Sequence, residues 1–161
     1  MLSEEQLTFS KRINNKFLFK LFSITKLPLA FITGLKIIDF NNNECVTSVR
    51  FKYLNKNPFV STHFAVLSMA AELSTGAFAL LAVEGKHPSV ATILTGLNAD
   101  FIKKATGRTT FKCTEGEKLI SAVDKAIETK EPQVQTVSTT GRNHDGEVVV
   151  IFEFTWSFKQ R

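Results

Sequence analysis

The chain has only two cysteines, one tryptophan and one tyrosine among 161 residues, and no repeat, low-complexity stretch or interdomain linker. Cys45 and Cys113 are far apart, with neither metal-ligand spacing nor paired histidines near them. No metal site is expected, and a reduced compartment with both thiols in strands fits them best. The first five residues, Met1 to Glu5, are acidic where a secretory leader is basic, so cytoplasm is the expected location. A net charge of +5 permits an anionic partner. Apart from Lys11-Arg12 and Lys103-Lys104, however, the basic residues are scattered, and no nucleic-acid-binding signature accompanies them. One absence matters most. From Phe64 to Val83 a run of twenty residues holds a single ionisable side chain, Glu72.

That isolation demands a cause. A carboxylate in apolar surroundings costs several kcal/mol or more unless it finds a partner, takes up a proton or has a chemical task. The run is long enough to span a bilayer, but Glu72, Ser68, Ser74, Thr75 and Gly76 favour a helix buried in a protein core, so no membrane span is expected. Fifteen phenylalanines point to large apolar contacts, in a core or around a greasy ligand.

At this length the expectation is one domain, residues 1–161. Ser3 and Gln6 form a capping-box pair, and apolar residues then recur at helical spacing towards Pro28, which predicts an N-terminal helix over 1–27. Its greasy second half carries Lys16, Lys20 and Lys26; a membrane-surface helix is conceivable, but packing on the rest of the domain is preferred. Alternation predicts strands over 35–40 and 44–54, joined by a turn at Asn41 to Asn43. Ser61 offers an N-cap for a central helix over 61–84. Strands are then expected over 90–101, 107–113, 133–140 and 147–159, with a helix over 116–130. The class is α+β: one antiparallel sheet wrapped around one long apolar helix, with an extra helix at the N-terminus.

On the central helix Glu72 shares a face with Ala65, Ser68, Thr75, Gly76 and Ala79, all small. His63 falls near the helix N-terminus, where free amides favour an oxyanion, and Asn57 lies just upstream. An amide, a helix mouth and a desolvated carboxylate are the parts that hydrolysis of an activated acyl group requires. The plainer alternatives are a Glu72 hydrogen-bonded to Ser68, Thr75 or a strand, a capping His63 and a turn-forming Asn57.

The pattern Asn57, five residues, His63-Phe64, seven residues, Glu72 resembles the hotdog-fold thioesterase superfamily, in particular the PaaI-like acyl-CoA thioesterases and an adjoining branch of unknown function. The segment Asn98 to Gly107 looks like that family's strand ending in a Phe-Leu-Arg-Pro-Ala type sequence and a glycine. The resemblance implies that Glu72 is the general base or nucleophile, that Asn57 positions water or the carboxylate, and that the Phe64 backbone NH, near His63, is the oxyanion donor. It implies a homodimer, or a dimer of dimers, in which Asn57 and His63 of one subunit meet Glu72 of the other. No cofactor is implied beyond the coenzyme A thioester as substrate, whose phosphates would lie near Lys103 and Lys104. Phe64 replaces the family's usual glycine after His. A non-catalytic acyl-chain or partner-binding protein is therefore the alternative. The nine-residue separation of His63 and Glu72 does not match the hydratases of the same fold.

Overall fold

The computed structural model describes residues 2–161. The elements are α1 (Glu4–Asn14), α2 (Lys16–Lys26), α3 (Pro28–Thr33), β1 (Lys36–Phe40), β2 (Cys45–Arg50), α4 (Phe64–Val83), β3 (Val90–Phe101), β4 (Arg108–Cys113), α5 (Gly116–Thr129), β5 (Gln133–Arg142) and β6 (Val148–Gln160), with a 3-10 turn at Tyr53–Asn55. Every ladder is antiparallel, and the six strands run in the order β1-β2-β4-β5-β6-β3. The sheet is wrapped around α4, as the sequence pattern requires of a helix apolar on nearly every side. Among the described residues α4 is the one helix long and apolar enough to cross a membrane, and 72% of its apolar window is buried inside the fold.

Phe78 of α4 meets Phe40 of β1 at 5.1 Å between ring centroids, and Phe152, Phe154 and Phe158 of β6 are fully buried beneath the helix. Thr47 Oγ1 of β2 donates to the Ala70 carbonyl at 2.6 Å, and Ser74 Oγ donates to Thr139 Oγ1 of β5 at 2.8 Å. These bonds fix the helix on the sheet and satisfy polar groups that burial would otherwise leave unpaired.

Three of the expected boundaries are corrected. The N-terminal helix is three helices. The capping box at Ser3 forms as expected, but Asn15 closes α1 with extended backbone and opens α2 by accepting from the Phe17 and Leu18 amides at 3.0 and 3.1 Å. An asparagine carboxamide is among the best helix N-caps, and here that preference overrides a continuing apolar period. Pro28 then starts α3, which Gly34 ends in the left-handed conformation at φ 74°.

The central helix starts at Phe64 rather than at 61, with His63 as N-cap rather than Ser61. Thr62 donates both its amide and its hydroxyl to the Ala105 carbonyl, at 2.8 and 3.0 Å, and the His63 amide donates to the Asn55 carbonyl at 2.7 Å. Thr62 and His63 are thereby held extended before the helix can begin. Likewise β2 stops at Arg50, because Tyr53–Asn55 coils into a 3-10 turn around the fully buried Asn55, whose amide donates to the Thr33 and Arg50 carbonyls.

Candidate active site

Glu72 is half-buried on the flank of α4 that meets the N-terminal helices. It lines a cavity of about 310 Å³ walled by Leu27, Pro28, Ala30, Leu35, Met69 and Leu73, with the exposed Lys26 at its rim. Burial pushes the Glu72 carboxyl above the ordinary carboxylate value, and nothing opposes that shift. The hydroxyls expected to partner it are engaged elsewhere. Ser68 Oγ donates to the Phe64 carbonyl at 2.9 Å, and Thr75 Oγ1 donates to the backbone carbonyl of Glu72 at 3.0 Å. Trp156 Nε1 from β6 donates to Thr75 Oγ1 at 3.2 Å, so the hydroxyl's one proton is committed to the Glu72 backbone and one of its lone pairs to the sheet. Among the described residues no donor reaches the Glu72 side chain.

His63 caps α4 through its ring: Nδ1 accepts from the Ala65 amide at 3.2 Å, so the neutral imidazole carries its proton on Nε2. The ring stacks on Phe64 with centroids 4.8 Å apart, and the Phe64 side chain is 60% exposed. The Phe64 amide has no acceptor among the described residues, so it points from the helix mouth as a free donor. Asn57 is engaged within its own loop. Its Oδ1 accepts from the amides of Phe59 and Ser61 at 3.0 and 3.2 Å, and its Nδ2 lies 3.1 Å from Ser61 Oγ. The same loop carries Val60 at φ 58°, a left-handed conformation that a β-branched side chain rarely takes.

One chain does not bring all of these groups together. Nine residues of helix place Glu72 about 13 Å along the axis from the His63 cap. Of the two lysines, Lys103 is paired with Glu147 at 2.6 Å on the surface, whereas Lys104 Nζ donates to the Phe59 carbonyl at 3.3 Å, beside the Asn57 loop. No metal-competent cluster of His, Cys, Asp and Glu exists among the described residues.

Sequence reasoning missed the walls of the cavity. Lys26 to Ala30 contribute them only because α2 ends at Leu27 and α3 turns back, a break that Pro28 signalled. It also missed the role of Gly76. A Cβ there would stand 2.5 Å from Glu72 Oε1, so only a glycine one helical turn ahead lets the carboxylate lie along the helix.

An antiparallel sheet around a single buried helix is the hotdog fold, and solved structures confirm it. A Pseudomonas aeruginosa protein of unknown function, titled "Probable Thioesterase", superposes with a TM-score of 0.77 at 17% identity, over 90% of this chain and 95% of its own. A protein of unknown function from Chlorobaculum tepidum gives 0.77 at 17% identity over 98% of both chains, and a Haemophilus influenzae thioesterase gives 0.64 at 14% identity over 87% and 88%. At such identities these likenesses establish the fold. Among curated proteins none matches the chain. The chain belongs to the family described as Domain of unknown function (DUF4442), whose model matches residues 15–158.

Proposed function

We propose that the protein is an acyl-CoA thioesterase with Glu72 as its general base. The observation that carries this reading is a desolvated carboxylate with no hydrogen-bond donor, facing an apolar cavity of about 310 Å³, at the small end of the range for ligand sites. Glu72 takes a proton from water as the water oxygen adds to the thioester carbonyl. The resulting oxyanion is stabilised by the free Phe64 amide at the positive end of α4. Collapse of the tetrahedral intermediate expels the coenzyme A thiolate, which takes up a proton. Direct attack by the Glu72 carboxylate, giving an anhydride that water then opens, uses the same groups.

Since the Phe64 amide and Glu72 of one chain are too far apart to share a carbonyl, this reading requires two subunits. The Asn57–His63 loop of one would meet Glu72 of the other. The sheet edge offers a dimer surface. β3 is twelve residues long and, among the described residues, pairs only with β6; it exposes Ile93 before the bulge at Leu94/Gly96 and Leu97 and Phe101 after it. Of the two lysines, Lys104 is the better candidate for coenzyme A phosphate, having no carboxylate partner among the described residues and lying beside the Asn57 loop. The apolar walls suit a medium or long acyl chain or an aromatic acyl group, and the two buried thiols suit the cytoplasm.

Hydrolysis of a panel of acyl-CoAs by wild type and Glu72→Gln tests the proposal. We expect turnover of at least one substrate and a loss of about a hundredfold in the variant. Full activity in Glu72→Gln would remove the assignment. The exposed Phe64 ring stacked on His63 favours a second reading, a protein that binds acyl chains without cleaving them. That reading expects acyl-CoA to change Trp156 fluorescence with no thiol released.

A further inference from the structure

From Gln6 to Ile38 the chain contains no acidic residue but six basic ones, Lys11, Arg12, Lys16, Lys20, Lys26 and Lys36. None of the six forms an ion pair among the described residues. Within this stretch α2 buries only Phe19 and Ser23. With about 3.6 residues per turn, Leu21 lies opposite that buried edge, with Phe17 and Ile24 on one side of it and the exposed Leu18 and Phe22 on the other, while Lys16 and Lys20 border the apolar stripe beside Ile24. Phe17 is 73% exposed and Leu21 52%. The next helix continues the pattern, with Leu29, Phe31 and Ile32 all exposed. An apolar ridge bordered by lysines whose stems can lie along it is the arrangement of a helix seated in the plane of a lipid interface.

We propose that the outer face of α2 and α3 docks on a bilayer containing anionic lipid. The charge decides between this occupant and a second copy of the chain. A symmetric pairing of the face with itself would bring two copies of the same lysine-bearing surface together, with no carboxylate from either segment to offset the charge. An anionic surface complements all of them, each lysine contributing roughly a fivefold gain in binding. The segment stays attached through α1, where Gln6 Nε2 donates to the Leu81 carbonyl at 3.0 Å and Asn14 exchanges hydrogen bonds with the backbone of Phe40. Docking would also place the cavity walled by Lys26 to Ala30 beside the acyl chains of the bilayer. A bilayer-borne acyl substrate is a consequence that rests on the thioesterase reading; the docking itself does not.

The test is co-sedimentation with vesicles of phosphatidylcholine alone and of phosphatidylcholine mixed with phosphatidylglycerol. Wild type should bind the mixed vesicles, release from them as salt is raised, and ignore phosphatidylcholine. Lys16→Gln with Lys20→Gln should weaken binding roughly 25-fold. Phe17→Ser with Leu21→Ser should abolish it without lowering the melting temperature, because both side chains are already exposed. The proposal fails if wild type stays in the supernatant with both vesicles, or if binding ignores lipid charge and the lysine variant. It also fails if Leu21→Ser splits a dimer that shows no affinity for lipid. Binding is measured without turnover, so its failure leaves the hydrolysis reading intact, and the reverse holds too.

Discussion

Glu72 and Gly76, one turn apart on α4, are sterically matched: the carboxylate of the first occupies the space that a side chain on the second would fill. Gly76→Ala therefore carries opposite consequences for stability and for chemistry. Alanine is about 1 kcal/mol better than glycine in a helix interior. The atom it meets is the end of a flexible side chain that can swing away. We expect melting temperature to hold or rise while Glu72-dependent hydrolysis falls about a hundredfold, the scale of an ångström-level misplacement of a catalytic group. Parallel melting curves and kcat/KM measurements check this, and an active Gly76→Ala would show that the carboxylate's position is immaterial.

The raised Glu72 carboxyl makes stability depend on pH in a direction opposite to that of a salt-bridged acid. Its folded form holds the proton more tightly than the unfolded chain does, so this group's contribution is most favourable below the ordinary carboxylate value. As pH rises from that value through the higher folded-state value, the native protein must hold a desolvated charge and loses stability. Glu72→Gln removes the charge at nearly constant volume. We expect the variant to melt above wild type near neutral pH and the two to converge as pH falls below the ordinary carboxylate range, as followed by thermal unfolding across pH.

The element order could be read from the sequence because alternation and helical spacing report which face of each segment is buried. Val148 to Phe158 keeps period two, and α4 stands out through its lack of charge. The boundaries that were missed turn on bonds to distant residues. Thr62 finds Ala105 more than forty positions away, and Asn55 finds Thr33. Asn15 is the exception, since its capping tendency is local and was outweighed by the longer apolar period around it. Glu72 could be singled out as isolated, but its cavity could not, because the walls come from a helix junction in another part of the chain.

Cys45 and Cys113 face each other across β2 and β4 as register partners, both fully buried and both free. Burial pushes the Cys113 thiol up to about 11 and raises Cys45 well above its ordinary value. Only the thiolate is nucleophilic, so at pH 8 both should resist a thiol reagent such as Ellman's until the sheet opens. Two thiols titrating at the denaturation rate is the expected result; fast labelling of either in the native protein would contradict this packing.

Trp156 is 7% exposed and satisfies its ring N–H on Thr75 Oγ1, tying β6 to the turn of α4 that carries Glu72. Thr75→Val keeps the shape and removes the acceptor, leaving a buried donor unpaired at a cost of about 1–3 kcal/mol. Thr75→Ser keeps the hydroxyl and should stay much closer to wild type. For a chain of this size the valine variant should melt roughly 2–12 °C lower. The sole tryptophan also reports on the site, since its ring would lie 3.5 Å from a Cβ on Gly76. A ligand entering beside Glu72 should therefore change its emission in wild type, and in Glu72→Gln as well if the apolar cavity rather than the carboxylate holds the acyl group. Loss of the fluorescence change in Glu72→Gln would show instead that binding itself needs the charge.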